Sequence, residues 1–171
     1  QDQTAYYFAP VYWAVRNGIT FGTTDTTFSP RMECTRAQFL TMLWRANGSP
    51  APQTATEPFE DVDEEDYYYP AVLWAYENGI AAGVEDTRFG AKQPCTRAQA
   101  VTFLWRLAGA PDMGSTENPF ADVKKDSFCY DAVLWAYQNQ ITSGTAANAF
   151  SPNTVGSRAQ LLTFLYRAAA N

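Results

Sequence analysis

The sequence predicts an all-α protein of three tandem helix–loop–helix repeats, and three observations carry that reading. First, a block recurs at a spacing of 61 residues: Trp13, Trp74 and Trp135; Ile19, Ile80 and Ile141; Gly22, Gly83 and Gly144; Phe28, Phe89 and Phe150 all keep register. Second, one short signature opens the last helix of each copy, as Thr35-Arg36-Ala37-Gln38, Thr96-Arg97-Ala98-Gln99 and Ser157-Arg158-Ala159-Gln160. Third, apolar residues follow helical spacing on both sides of one loop per copy. A unit of this length cannot cover its own apolar face, so the copies are expected to stack on one another. The boundaries fall at 1–50, 51–111 and 112–171.

The second copy shows why each element forms. Asn47-Gly48-Ser49-Pro50-Ala51-Pro52 ends the preceding helix. Pro58-Phe59-Glu60-Asp61-Val62 follows, and then an acidic run, Asp63 to Asp66, that reads as a solvated lead-in favouring the next helix N-terminus. No glycine-containing loop of oxygen ligands accompanies that run, which argues against calcium. The first helix is predicted over about 69–78. Pro70 sits in its first turn, where a missing N–H costs nothing, and Val72, Ala75 and Tyr76 form an apolar stripe flanked by Ala71 and Trp74. Asn78-Gly79-Ile80 is a stop signal in which glycine turns left-handed and the next apolar residue folds back. The third copy has Gln140 at that glycine position, a strain of about 1 kcal/mol if the conformation is kept. A loop from Gly83 to Phe89 follows, its phenylalanine read as a core plug. Thr96 and Gln99 then spell a capping box that starts the second helix, with Ala98, Val101, Leu104 and Trp105 facing inward. Arg106, in its last turn, suits the helix dipole.

Composition removes whole classes of function. The chain has no histidine, so no Ser-His-Asp or Cys-His nucleophile and no histidine metal site can be drawn. An enzyme is the remotest reading, because no acid–base pair or nucleophile stands out, and no cofactor is expected. A net charge of −6 argues against nucleic acid. No apolar stretch approaches the ~20 residues of a membrane helix, so no membrane insertion is expected. The first ten residues show no leader pattern, so any leader is already removed or was never there. Cys34 and Cys95 occupy equivalent slots, Gly156 stands at the third, and Cys129 sits elsewhere; all three read as small buried hydrophobes rather than a disulfide or metal site.

Arg36, Arg97 and Arg158 resist a purely structural account. Each places a cation in the first turn of a helix, where the dipole already presents positive charge. One reading pairs each with a carboxylate of the neighbouring copy, such as Asp61 or Asp122, to lock the stack. The other is an anion site built from exposed helix N–H groups and a guanidinium fork. The two are not exclusive.

Pro-Phe-x-Asp-Val, an aromatic, an Ala-Val pair, Gly-Ile, Gly-x-x-Asp-x-x-Phe and Thr-Arg-Ala-Gln together resemble the S-layer homology repeat of bacterial cell-surface proteins. The resemblance covers nearly the whole chain. It implies a pseudo-three-fold assembly around a central three-helix bundle, acting as a monomer, with grooves between adjacent repeats. It further implies an extracellular module that holds secondary cell-wall polysaccharide, commonly carrying pyruvylated sugar. By the same resemblance Arg36, Arg97 and Arg158 contact the acidic group, Tyr6, Tyr67 and Phe128 supply an aromatic face, and the loops at Gly22, Gly83 and Gly144 line the groove. The chain departs from the family pattern in four ways, one being Tyr6, Tyr67 and Phe128 where the family's early Trp stands. Its signature ends in Gln rather than Glu, and Trp13, Trp74 and Trp135 stand at aliphatic core positions. The third copy also loses the signature Thr and the loop Asp, where Ala147 stands, so its groove is expected to be the weakest. Subtracting 61 from Phe59 and Asp61 gives positions before Gln1, so the first copy lacks its opening Phe-x-Asp-Val and any groove using it is incomplete. The rival function is a protein-interaction module built on the same scaffold.

Overall fold

The computed structural model describes residues 3–53 and 58–170; Gln1 and Asp2, at the start of the stretch read for a leader, lie outside them. Six helices follow one another: α1 (Phe8–Arg16), α2 (Arg36–Ala46), α3 (Tyr69–Glu77), α4 (Arg97–Leu107), α5 (Tyr130–Gln138) and α6 (Arg158–Ala169). Among the described residues extended backbone is confined to isolated bridges, so the fold is all-α with three repeats.

The capping boxes form as their residues require. Thr35, Thr96 and Ser157 accept from the Gln38, Gln99 and Gln160 amides, and those glutamine side chains accept from the cap amides in return. At the other end of the short helices Gly18 and Gly79 take φ of 67° and 66°, and Gln140 is held at 58° in their place. Trp44 and Trp105 donate their indole N–H to the Pro50 and Pro111 carbonyls at 2.9 Å, fastening each linker to the helix it leaves.

Packing runs between repeats. α2 packs on α3, α4 on α5, and α6 returns to α1, while α6 also packs against both α2 and α4. Each copy therefore covers the second helix of the copy before it. The same cyclic order appears in the backbone: Cys34 N–H donates to Gly156, Cys95 to Cys34, and Gly156 to Cys95, at 3.0, 2.8 and 2.9 Å. Cys34 and Cys95 thus meet at the centre of the assembly, buried and as free thiols, as is Cys129. Gly156 completes the ring because Leu161 fills its side-chain space; a Cβ there would collide with Leu161 Cδ2.

The candidate groove site

Each signature arginine reaches into the loop of the next repeat. Arg36 Nε donates to the Phe89 carbonyl at 3.2 Å, Arg97 Nε to Phe150 at 2.9 Å, and Arg158 Nε to Phe28 at 3.0 Å. Each guanidinium also lies over the ring of that same phenylalanine, at 4.8, 4.7 and 4.8 Å from its centroid. The cations are almost wholly buried. Burial pushes all three guanidinium pKa values down, but an arginine keeps its charge.

Two parts of the sequence readings need correction, the ion pairs and the exposed helix N–H groups. Among the described residues none of the three forms an ion pair. Asp61 instead accepts from the Phe89 and Gly90 amides at 2.6 and 2.8 Å, and Asp122 from Phe150 and Ser151 at 2.8 and 2.7 Å. The helix-start N–H groups are not exposed either. Arg36 and Ala37 donate to Gln93 and Ala91, Arg97 and Ala98 to Thr154 and Pro152, and Arg158 and Ala159 to Met32 and Pro30. The dipole end is satisfied by the next repeat's backbone, leaving no amide for an incoming anion.

The three arginines then diverge. Arg36 Nη2 donates to the Ala82 carbonyl at 2.7 Å, and Phe103 closes over it with Phe89. The same atom of Arg97 and of Arg158 is buried without a partner. An unpaired donor on a buried cation is costly enough to call for an explanation in a water or a ligand.

An open cleft lies beside each of those two. The cleft at Arg97, about 380 Å³, is lined by Tyr6, Gly144, Thr145, Gln160, Thr163 and Arg167 among others. The cleft at Arg158, about 290 Å³, is lined by Tyr67, Gly22, Thr23, Gln38, Thr41 and Arg45. These sets correspond position by position at the 61-residue register. Each cleft draws on three repeats: the arginine from one, the glycine loop from the next and the tyrosine from the third. The losses in the third copy are therefore shared out, since Ala147 belongs to the loop serving Arg97, not Arg158. The remaining set would be Arg36, Gly83 and Phe128. Phe128 is exposed, and Gly83 packs on its own loop as Gly22 and Gly144 do, so that a Cβ would collide with the Glu85 carbonyl oxygen.

Arg45 and Arg167 are groove residues that sequence reasoning missed. Their Nη1 atoms donate to the Ile19 and Ile141 carbonyls at 3.4 and 3.1 Å, and their guanidinium groups line the clefts. The signal was available in the register of Arg45, Arg106 and Arg167, which the helix dipole alone seemed to explain. Among the described residues each cleft thus carries two guanidinium groups and no carboxylate, in a chain whose net charge is −6. Tyr6 and Tyr67 stand at the rims, each 59% exposed.

Three repeats closed on one another, with clefts at their joints, define a tandem-repeat surface module. Residues 1–40, 58–101 and 119–162 match the S-layer homology domain, which accounts for most of the chain, and the chain belongs to that family. It is 36% identical to a cell surface protein of Thermoanaerobacter kivui over 67% of this chain and 16% of that protein. It is 28% identical to an endoglucanase of Bacillus sp. (strain KSM-635) over 99% of this chain and 19% of that one. A surface-layer 125 kDa protein of Lysinibacillus sphaericus is 28% identical over 90% of this chain, or 13% of its own length. The chain therefore spans less than a fifth of these relatives. Family membership puts it outside the cell, at the bacterial surface or wall.

Proposed function

We propose that this protein is a non-covalent anchor with no chemistry of its own, and that its inter-repeat grooves hold an acidic secondary cell-wall polysaccharide bearing pyruvylated sugar. The observation carrying this reading is the charge of the two clefts: paired guanidinium groups with no lining carboxylate among the described residues, inside an acidic protein. A negative ligand there gains charge-assisted hydrogen bonds against the overall field. Tyr6 and Tyr67 at the rims offer amphipathic faces on which a sugar ring can lie. The protein acts as a monomer with up to two working clefts.

The test is calorimetric titration with purified wall polysaccharide, native and stripped of pyruvyl groups. The double variant Tyr6→Ala/Tyr67→Ala should lose roughly ten-fold in affinity, about 1.4 kcal/mol. Arg167→Gln should weaken the Arg97 cleft alone. Binding should fall as salt rises. Equal affinity for the stripped polymer would overturn the acidic ligand, and binding to walls without polysaccharide would favour a protein partner.

A further inference from the structure

One peptide unit sets the loop of the second repeat apart from the loops of the first and third. All three loops begin alike, with the amides of Thr20, Ala81 and Thr142 donating to Ala14, Ala75 and Ala136 at 3.4, 3.1 and 3.2 Å. They also continue alike, with Thr23, Val84 and Thr145 donating to Thr27, Arg88 and Ala149 at 2.7, 2.8 and 2.7 Å. Between those fixed points the backbone differs. Gly22 and Gly144 are left-handed, with φ of 86° and 87°, and Gly83 is not. A change of φ between unchanged flanks turns over the planar peptide that precedes it, here the one joining Ala82 to Gly83.

The turned peptide meets Arg36. Its carbonyl, on Ala82, accepts from Arg36 Nη2 at 2.7 Å. The Nη2 atoms of Arg97 and Arg158 have no such partner, although these residues are only 3% and 4% exposed. The sequence difference that accompanies the turn is Ala81. Thr20 and Thr142 hold that place in the other repeats, and their hydroxyls accept from the Gly22 and Gly144 amides at 3.4 and 3.1 Å. A peptide carries its N–H and C=O on opposite edges, so a threonine that holds the N–H also fixes where the C=O points. Alanine offers no acceptor, and the carbonyl turns to the guanidinium instead. A charge-assisted bond to a buried cation outweighs the neutral bond to a hydroxyl that it replaces.

We propose that residue 81 decides whether the Arg36 groove takes a ligand: beside alanine, the Ala82 carbonyl occupies the donor that Arg97 and Arg158 present to an acidic sugar. Thr20 and Thr142 are then positioning residues that hold the loop carbonyl away from the other two arginines. This inference rests on the reading of those two grooves as acidic-sugar sites. The walls of the third groove are otherwise in place, since Gln99, Thr102 and Arg106 repeat Gln160, Thr163 and Arg167 of the Arg97 cleft. The Ala82 oxygen also marks where a ligand carboxylate oxygen sits in the other two grooves, within hydrogen-bond reach of Nη2.

The test compares the parent with Ala81→Thr, Thr142→Ala and a control, Val84→Thr, at the next loop position where both other repeats have threonine. Without ligand, amide exchange followed by NMR should slow about ten-fold at Gly83 in Ala81→Thr and quicken by as much at Gly144 in Thr142→Ala. Val84→Thr should leave Gly83 at the parental rate. Calorimetric titration then uses a methyl hexoside bearing one pyruvyl ketal, so that each groove is counted once. The parent should take two sugars, Ala81→Thr three and Thr142→Ala one. Unchanged exchange and stoichiometry in Ala81→Thr, with the parent still binding two, would overturn the proposal and leave the reading of the other grooves intact. Slowed exchange at Gly83 in Val84→Thr instead would also overturn it. If Ala81→Thr does not fold, Thr142→Ala decides alone, and two sugars still bound would sink the idea. No binding by any chain, with exchange as expected, would overturn the acidic-sugar reading while the threonine's hold on the peptide stands.

Discussion

Replacing Asp61 by alanine probes how a single carboxylate ties the opening of a repeat to its own loop. The carboxylate accepts two amide hydrogen bonds at 2.6 and 2.8 Å, and one of the donors, Phe89, is fully buried. Bonds to a charged acceptor are worth about 1.5–3 kcal/mol each. Solvent reaches part of Asp61, so roughly half of their sum survives screening, about 1.5–3 kcal/mol. For a chain of this size that loss lowers Tm by roughly 5–10 °C. Asp122 makes the same pair of bonds but is exposed, as is its partner Ser151 amide, so Asp122→Ala should cost only about 1–2 kcal/mol. Denaturant titration gives both values, and amide exchange should quicken at Phe89 and Gly90 in the first variant alone. A loss below about 0.5 kcal/mol for Asp61→Ala, with exchange unchanged, would refute the reasoning.

Two further predictions concern the centre of the assembly. Gly156→Cys, which makes the ring uniform in sequence, should destabilise by about 1–3 kcal/mol through collision with Leu161, and Leu161→Ala in the same chain should recover part of it; stability curves of the single and double variants decide. Burial pushes the Cys34 thiol up to about 12, and Cys95 also upward. An unfolded thiol titrates near 8.5, so above that pH the unfolded chain sheds a proton the native one keeps. Stability should therefore fall as pH rises from about 9 toward 12, by up to about 1.4 kcal/mol per pH unit for Cys34. Cys34→Ala should flatten that slope, as measured by unfolding midpoints across alkaline pH.

Local structure was largely legible in the sequence. The Thr/Gln and Ser/Gln pairs fixed where α2, α4 and α6 begin, and Asn-Gly-Ile fixed where α1 and α3 end, because caps and stops are short-range chemistry. What periodicity could not say is which neighbour covers an apolar face. That α2 packs on α3, and α6 on α1, is decided by loop path rather than by any residue's preference. The arginines were singled out for the right physical reason, a cation at the wrong end of a dipole. Their partners proved to be carbonyl oxygens and phenylalanine rings of the following repeat. The constant interval of 53 residues between Arg36 and Phe89 and between Arg97 and Phe150 held that information, but spacing alone does not distinguish a contact from a shared repeat. Which guanidinium keeps an unmet donor was out of reach, since it turns on whether one Nη2 atom finds a carbonyl, as Arg36 does and Arg97 does not.

Because the last helix lies against the first, a chain of three copies behaves unlike an open solenoid, whose outermost unit can fray alone. Pulling away any one copy strips the cover from its predecessor and breaks the hydrogen-bonded ring at the centre. No copy can therefore leave without opening two of the three joints as well as the ring. That turns three separate seams into one cooperative unit.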